Sequence, residues 1–328
     1  MCILSYLLTF VEAFAIIVFM KKIRVGVVGT GYLGSIHARL YKEIETCSLE
    51  AVCDTDPARI DKVSRELQVP GLSDYRGLFG KVDAVSVAVP TRLHYAVAKE
   101  LLEHGLPVLV EKPFTTTLKE AGALIKLARK KDLTLQVGHI ERFNSAFSAC
   151  QEYFQDPYFI ECHRLSTFPN RSLDIGVVLD LMIHDIDIIL GLVKSPVKRI
   201  DAVGVNVLTP FEDIANARIT FRNGCVANLT ASRISDEKMR KIRIFLKNAY
   251  ISLDYREQQA FIYKKTPAGI AKEALPIEKE QPLKKELASF IECVGEHKEP
   301  VVSGETAREA LETALKIRGL IWKNPRKF

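Results

Sequence analysis

Asp180 and His184 stand four residues apart in the apolar run VVLDLMIHDIDIIL, 177–190, with Asp185 and Asp187 just beyond them. Charged groups in such a setting cost free energy unless they are paired, hydrogen-bonded or in use. On a helix, Asp180 and His184 share a face, and Asp187 lies three residues past the histidine on roughly the same face. An imidazole has the ordinary pKa of a general base, and a carboxylate one turn away can orient it or hold a hydroxyl. Two readings follow: a helix with one polar stripe turned to water, or a proton-transfer pair on the wall of a cleft. Lys112, in Glu111-Lys112-Pro113, directly follows the strand-like PVLV. An ammonium there stabilises a developing alkoxide, or acts as the base itself where burial or a positive neighbour lowers its pKa. No second histidine stands at ligand spacing from these carboxylates, so no metal site is expected.

A second constellation is Gly29-Thr30-Gly31-Tyr32-Leu33-Gly34, which follows a strand-like run and opens a helix, with Asp54 twenty residues past Gly34. That context is a dinucleotide-binding fingerprint. Gly29 permits a tight turn, Gly31 lets backbone approach a pyrophosphate, and Gly34 allows close helix–strand packing. The helix start, with Tyr32 and Leu33 in its first turn, offers free N–H groups to the anion. Asp54 would accept from ribose hydroxyls and repel a 2′-phosphate, which favours NAD over NADP. Arg59 is near enough in sequence to help bind a phosphate instead.

These residues need a scaffold at the ends of strands. IRVGVVG (23–29), LEAVCD (49–54), AVSVAVP (84–90), PVLVEKP (107–113) and LTLQVGH (133–139) are short buried-strand patterns separated by helical ones. Such alternation predicts an α/β domain with a Rossmann doubly wound parallel sheet. Beyond residue 190 come RIDAVGVNVL, IANARITF, CVANLTASRI, MRKIRIFLK, AYISLDY and AFIYKK, with Asn223-Gly224 as a hairpin signal. These predict an α+β domain with a large open mixed sheet, closed by helices at about 282–296 and 304–322. The expected division is an apolar extension over 1–19, a dinucleotide-binding domain over 20–140, and a substrate-binding and oligomerisation domain over 141–328. The apolar alternation of IANARITF and CVANLTASRI suggests a sheet face used as an interface.

Composition excludes several classes. The 328 residues carry a formal charge of +6 with Lys and Arg spread out, so nucleic acid is not an expected partner. Seven cysteines, odd in number and without CxxC, argue against a disulfide framework and for a reducing, cytoplasmic compartment. Residues 1–19 form an apolar run interrupted by Glu12. They read as translated sequence upstream of Met20, a membrane anchor or a packing helix. A carboxylate within a span costs about 2–3 kcal/mol, and a domain that starts its first strand at Ile23 needs none of the run.

The glycine loop with Asp54, AVPTRLH at 88–94, EKP at 111–113, Asp180-x-x-x-His184 and VSGETAREALE together make the chain after Met20 resemble the Gfo/Idh/MocA oxidoreductases. The resemblance implies an NAD-dependent dehydrogenase acting on a CH–OH group, with Lys112, Asp180 and His184 catalytic. It implies cofactor contacts from Gly29, Gly31, Tyr32, Leu33, Gly34, Asp54, Pro90, His94 and Glu111. GHIERFN (138–144) and LDLMIHDIDI are most similar to the family branch acting on nucleotide sugars. The implied substrate is a UDP-linked N-acetylhexosamine such as UDP-N-acetylglucosamine, oxidised at C3. An aminotransferase would act next, toward lipid A, and the assembly would be a homodimer or homotetramer. Arg142 and Asn144 would approach substrate or the cofactor amide, or else form a salt bridge across the domain junction; Arg164 and Arg171 would grip a diphosphate, or else pair with surface carboxylates. The alternatives are a dehydrogenase of free sugars or cyclitols and a non-catalytic dinucleotide-binding regulator. The latter has no chemical reason to keep Lys112, Asp180 and His184. One departure stands out: the family often has a second glycine before D-x-x-x-H, whereas here Ile175 precedes Gly176.

Overall fold

The structure, a computed structural model, describes residues 22–168 and 175–323. The expectations for residues 1–19 and for Arg171 lie outside the described residues. In the first half run β1 (Ile23–Val28), α1 (Tyr32–Glu43), β2 (Cys47–Cys53), α2 (Pro57–Leu67), β3 (Gly71–Leu72), β4 (Ala84–Val87), α3 (Thr91–Glu103), β5 (Val108–Glu111), α4 (Leu118–Lys131) and β6 (Leu135–Gly138). They build a parallel sheet in the order β3-β2-β1-β4-β5-β6. Every residue of β4, β5 and β6 is buried, as strands covered by helices on both faces must be. Local signals set the helix starts. Asp56 caps α2 ahead of Pro57, and Thr117 with Glu120 forms a capping box on α4. The order reverses between β1 and β4, and the crevice outside the carboxyl ends at such a reversal is where ligands bind.

The second half contains α5 (Ser145–Cys150), β7 (Phe159–Leu165), a π-turn at Val178–Met182 that runs into α6 (Ile183–Val193), and then β8 (Val197–Val205), β9 (Ile214–Phe221), β10 (Val226–Ser232), β11 (Met239–Phe245), β12 (Ala249–Asp254), β13 (Gln259–Thr266) and β14 (Gly269–Ala274). The sheet order is β14-β13-β12-β11-β7-β10-β9-β8. Only the β7–β10 pair is parallel among these described strands, so the sheet is mixed. The central strand β7, FIECHRL, is absent from the sequence expectation. Its alternation is real but is written with Glu161, His163 and a buried Arg164.

The apolar strip of the sheet lies elsewhere than the sequence alternation implies. Ala215, Ala217, Ile219, Ala227 and Leu229 all turn to the core. The other face of β9 and β10 is polar there, with Asn216 Nδ2 donating to Thr230 Oγ1 and Arg218 Nη1 to Asn228 Oδ1. Register instead lines up Phe159, Phe245, Tyr250 and Tyr263 across β7, β11, β12 and β13. Their ring centroids follow one another at 5.6, 5.3 and 4.2 Å.

The last two helices, α7 (Pro282–Glu296) and α8 (Gly304–Lys323), return to the first sheet. Gln136 of β6 donates to the Glu286 carbonyl at 3.1 Å, and the Val137 N–H donates to Val302 O at 3.1 Å. α8 packs on both α4 and α6, so one helix touches the dinucleotide unit and the segment carrying His184.

Candidate active site

The carboxyl end of β5 delivers Glu111-Lys112-Pro113, and the Lys112–Pro113 peptide is cis. Lys112 Nζ donates to Asp180 Oδ1 at 2.8 Å and to the Asp180 carbonyl at 2.6 Å. The sequence places Asp180 and His184 on one α-helical face. The structure instead puts Asp180 inside the π-turn and His184 in the first turn of α6. A π-turn shifts the backbone hydrogen-bond register by one residue and is frequent at functional sites. Here the Asp180 carbonyl takes the lysine.

The entry to this turn is fixed from below. A Cβ on Gly176 would lie 1.9 Å from Glu212 Oε1, so a side chain there would displace the buried carboxylate. The buried Glu212 accepts from the Val178 N–H at 3.4 Å and from Trp322 Nε1 at 3.1 Å. Ile175, where the family often has a second glycine, presents its carbonyl to Arg233.

His184 is 8% exposed, and its Nδ1 is buried without a hydrogen-bond partner among the described residues. Burial, then the charges of Lys112, Arg164, His139 and Arg240, hold its pKa well below the ordinary 6.5. The ring is therefore neutral near pH 7 and able to accept a proton. With Nδ1 sealed in, Nε2 is the nitrogen left to meet the cleft.

His139, the first residue past β6, packs edge-to-face on His184 with ring centroids 6.0 Å apart. Sequence reasoning passed over it inside GHIERFN, although its place at a strand's carboxyl end was a usable signal. Arg240, exposed on β11, was likewise missed. Its sequence neighbourhood, MRKIRIF, marks it only as one cation among several.

Three expected substrate ligands have other partners. Arg164, 3% exposed, donates to Asp185 Oδ2 and Oδ1 at 3.0 and 2.8 Å and to Glu141 Oε1 at 2.8 Å. A guanidinium so committed braces α6 against β7 rather than gripping a diphosphate. Arg142 clamps Asp187, with Nε to Oδ2 at 2.7 Å and Nη2 to the carbonyl at 2.8 Å. Gly191 makes room for it, since a Cβ there would fall 2.4 Å from the guanidinium. Asn144, 2% exposed, caps α5 through Ala146 N–H and donates to Tyr255 O at 2.9 Å. These three hold the junction together.

At the glycine loop the geometry fits a dinucleotide. Gly29 has φ +93°, and a Cβ on Gly34 would sit 1.7 Å from Gly29 O. A Cβ on Gly31 would meet only Arg59 Nη1, at 3.8 Å. Packing does not require that glycine, so the space it leaves is available to a pyrophosphate. Gly31 stands at the start of α1 with no side-chain cap, leaving N–H groups for an anion; Tyr32 beside it is 66% exposed and Leu33 half-buried. Asp54 Oδ2 accepts from Thr30 N–H at 2.7 Å, and Oδ1 accepts from Asp56 N–H at 3.0 Å. The same carboxylate thus organises the loop.

Pro90 is exposed at the start of α3, beside the loop. His94 and Glu111 are not open to a cofactor. His94, 1% exposed, sits with one ring nitrogen 2.9 Å from Val89 O and the other 2.9 Å from Pro113 O, tying the two strand-end loops together. Glu111, 6% exposed, lies 3.1 Å from His37 Nε2 and accepts from the Lys112 N–H at 3.2 Å. Burial alone would raise its carboxyl, but the His37 hydrogen bond and the charges of His37 and Lys112 hold it below the usual range. Both residues shape the lysine loop from behind.

A doubly wound dinucleotide sheet that hands a lysine to a carboxylate and a neutral imidazole of a second unit defines an NAD-dependent oxidoreductase. The chain belongs to the Gfo/Idh/MocA oxidoreductase family: residues 23–139 match its NAD-binding Rossmann fold and residues 136–252 its C-terminal domain. It is 37% identical over 306 residues to UDP-N-acetylglucosamine 3-dehydrogenase of Acidithiobacillus ferrooxidans, covering 91% of this chain and 97% of that one. A solved structure of that Acidithiobacillus enzyme superposes with TM-score 0.88 at 38% identity, covering 92% and 98% of the two chains. Similarity to scyllo-inositol 2-dehydrogenase (NAD(+)) of Bacillus subtilis is 28% over 65% of this chain and 68% of that one. Among the described residues no helix is long and apolar enough to cross a membrane, and no group of three or more His, Cys, Asp or Glu is placed to hold a metal.

Proposed function

We propose that the protein oxidises the C3 hydroxyl of UDP-N-acetylglucosamine, or of a close UDP-linked N-acetylhexosamine, with NAD. The observation that carries the reading is Lys112 bonded to Asp180 beside a buried, neutral His184. That geometry is joined to near end-to-end similarity with a relative of that name. Gly29, Gly31, Tyr32, Leu33, Gly34, Asp54 and Pro90 would hold NAD, which supplies the hydride acceptor when bound.

The substrate hydroxyl takes the place between Lys112 Nζ and His184 Nε2. His184 accepts its proton, the Lys112 ammonium stabilises the charge that develops on oxygen, and Asp180 keeps the ammonium in position. The cations around His184 make a lingering imidazolium unfavourable, so the ring must pass the proton on.

NADH formation from NAD and UDP-N-acetylglucosamine tests this directly, with an aminotransferase and glutamate added to remove the ketone. An aminotransferase is also the partner class that the product calls for. Turnover of free cyclitols or hexoses with none of any nucleotide sugar would overturn the substrate while leaving the reaction class. We also place a domain boundary near residue 140, a homodimer or homotetramer packed through the aromatic strip of the mixed sheet, and a cytoplasmic site of action. Light scattering that gives a monomer at micromolar concentration would remove the assembly.

A further inference from the structure

We propose that His139 is a relay residue that takes the proton from His184 during alcohol oxidation. His139 is 1% exposed, and neither of its ring nitrogens meets a hydrogen-bond partner among the described residues. Buried polar atoms are rarely left so, and each such group calls for an explanation. The ring stands against His184 at 84° between planes, and Nδ1 of His184 is also buried and unpartnered among the described residues. The β5–β6 register pairs Glu111 with Gly138, which sets Lys112 and His139 side by side at the carboxyl edge. Two imidazoles packed edge to face, with unpartnered buried nitrogens, at the reacting end of the sheet are what a buried proton path needs.

The chemistry calls for that path. Oxidation breaks the substrate O–H and C–H bonds, sends the hydride to NAD, and puts the proton on His184 Nε2. His184 then carries protons on both nitrogens and gives the Nδ1 proton to His139, directly or through one bridging water. His184 is left neutral, and His139 holds the charge.

The groups facing the pair favour this direction. Lys112 from the β5 loop, Arg164 from β7 and Arg240 from β11 all oppose charge on His184. Burial opposes charge on His139 too, but Asp187 from α6 and Glu111 from β5 favour it, against Arg142 and Lys112. Asp180, from the π-turn, is bonded to Lys112. Asp185, beside His184 in sequence, is bonded to Arg164, and the carboxylates that favour charge on His139 are Asp187 and Glu111.

The inference rests on the dehydrogenase reading but not on the identity of the sugar. The first test uses the full wild-type chain, labelled with ¹⁵N-histidine and saturated with NAD, without substrate. The ring signals of His139 and His184 should each show the other's titration step, and independent titration would overturn the relay. The second compares His139→Phe, which keeps a ring of similar size without nitrogens, with His139→Gln. Turnover of any accepted alcohol should fall on the order of 10²-fold in His139→Phe. The solvent isotope effect on kcat should rise and NAD affinity should hold, with partial recovery in His139→Gln. Wild-type turnover and isotope effect in His139→Phe would sink the proposal. Failure of every alcohol in the panel would count against the substrate reading, while the titration still decides the relay.

Discussion

Two cation–carboxylate systems flank His184, built from the same residue classes, with their carboxylates five positions apart. Lys112 and Asp180 keep 17% and 14% of their side chains exposed, and the ammonium, with two donors on Asp180, has a third. Arg164 and Asp185 keep 4% each, and Arg164 spends its donors on Asp185 and Glu141. On the proposed mechanism, what separates a working pair from a brace is not residue type but exposure and the lysine's spare donor. An ammonium on a flexible stem can let go of Asp180 and share an oxygen, whereas a bidentate guanidinium in a dry site has nowhere to turn.

The largest effect expected from breaking this contrast is on the brace. Arg164→Met leaves Asp185 and Glu141 buried without their cation, at a cost of about 3–5 kcal/mol in folding free energy. A urea midpoint equal to that of the wild type would mean the network contributes nothing. Next comes the working pair: Lys112→Ala should cut turnover by about 10²–10³, with a much smaller change in urea midpoint and NAD affinity little altered. If Lys112→Ala unfolds the protein while Arg164→Met only slows it, the assignment of the two systems is reversed.

Acidification probes the same region. His184, His139 and His94 all have pKa values lowered from 6.5, each chiefly by burial. Below 6.5 the unfolded chain binds protons that these three rings refuse, so stability falls as pH drops from 6.5 toward each lowered value. The slope is about 1.4 kcal/mol per pH unit for each imidazole. Buried Glu286 works the other way. Burial and the charges of Glu111 and Glu141 raise its carboxyl well above 4.5, so the folded protein binds its extra proton and one imidazole is offset. Urea midpoints measured from neutral pH down to about 5 should therefore fall, with no such slope above 6.5. A flat profile would mean that the imidazoles are not held neutral.

The first sheet was legible because its strands are fully buried and its turns are written in glycine, proline and acid. The Lys112–Asp180–His184 cluster was legible because a lysine at a strand end and D-x-x-x-H are set by local geometry. Arg164 was misjudged because its partners, Glu141 and Asp185, lie 23 and 21 residues away in sequence. No pattern in one strand reports that they converge. β7 went unseen for the same reason, since a strand that buries a paired arginine does not look like one. The π-turn was invisible too: it adds one residue to a helix whose apolar pattern reads equally well without it.

Asp54 is an intermediate case, and it carries the smallest effect. It is fixed by Thr30 and Asp56 as a brace would be, yet it remains half-buried at the end of β2, where a ribose would lie. Asp54→Ala should raise the Kd for NAD by about tenfold, the loss of one hydrogen-bonding charged group at roughly 1.4 kcal/mol. It should also narrow the preference over NADP, because the carboxylate that repels a 2′-phosphate is gone while Arg59 stays beside Gly31. Fluorescence titration with both cofactors separates the two roles. If NAD weakens and NADP does not gain, Asp54 acts only by holding the glycine loop. If both affinities stay as they were, the loop keeps its shape without the carboxylate, and Asp54 serves neither role.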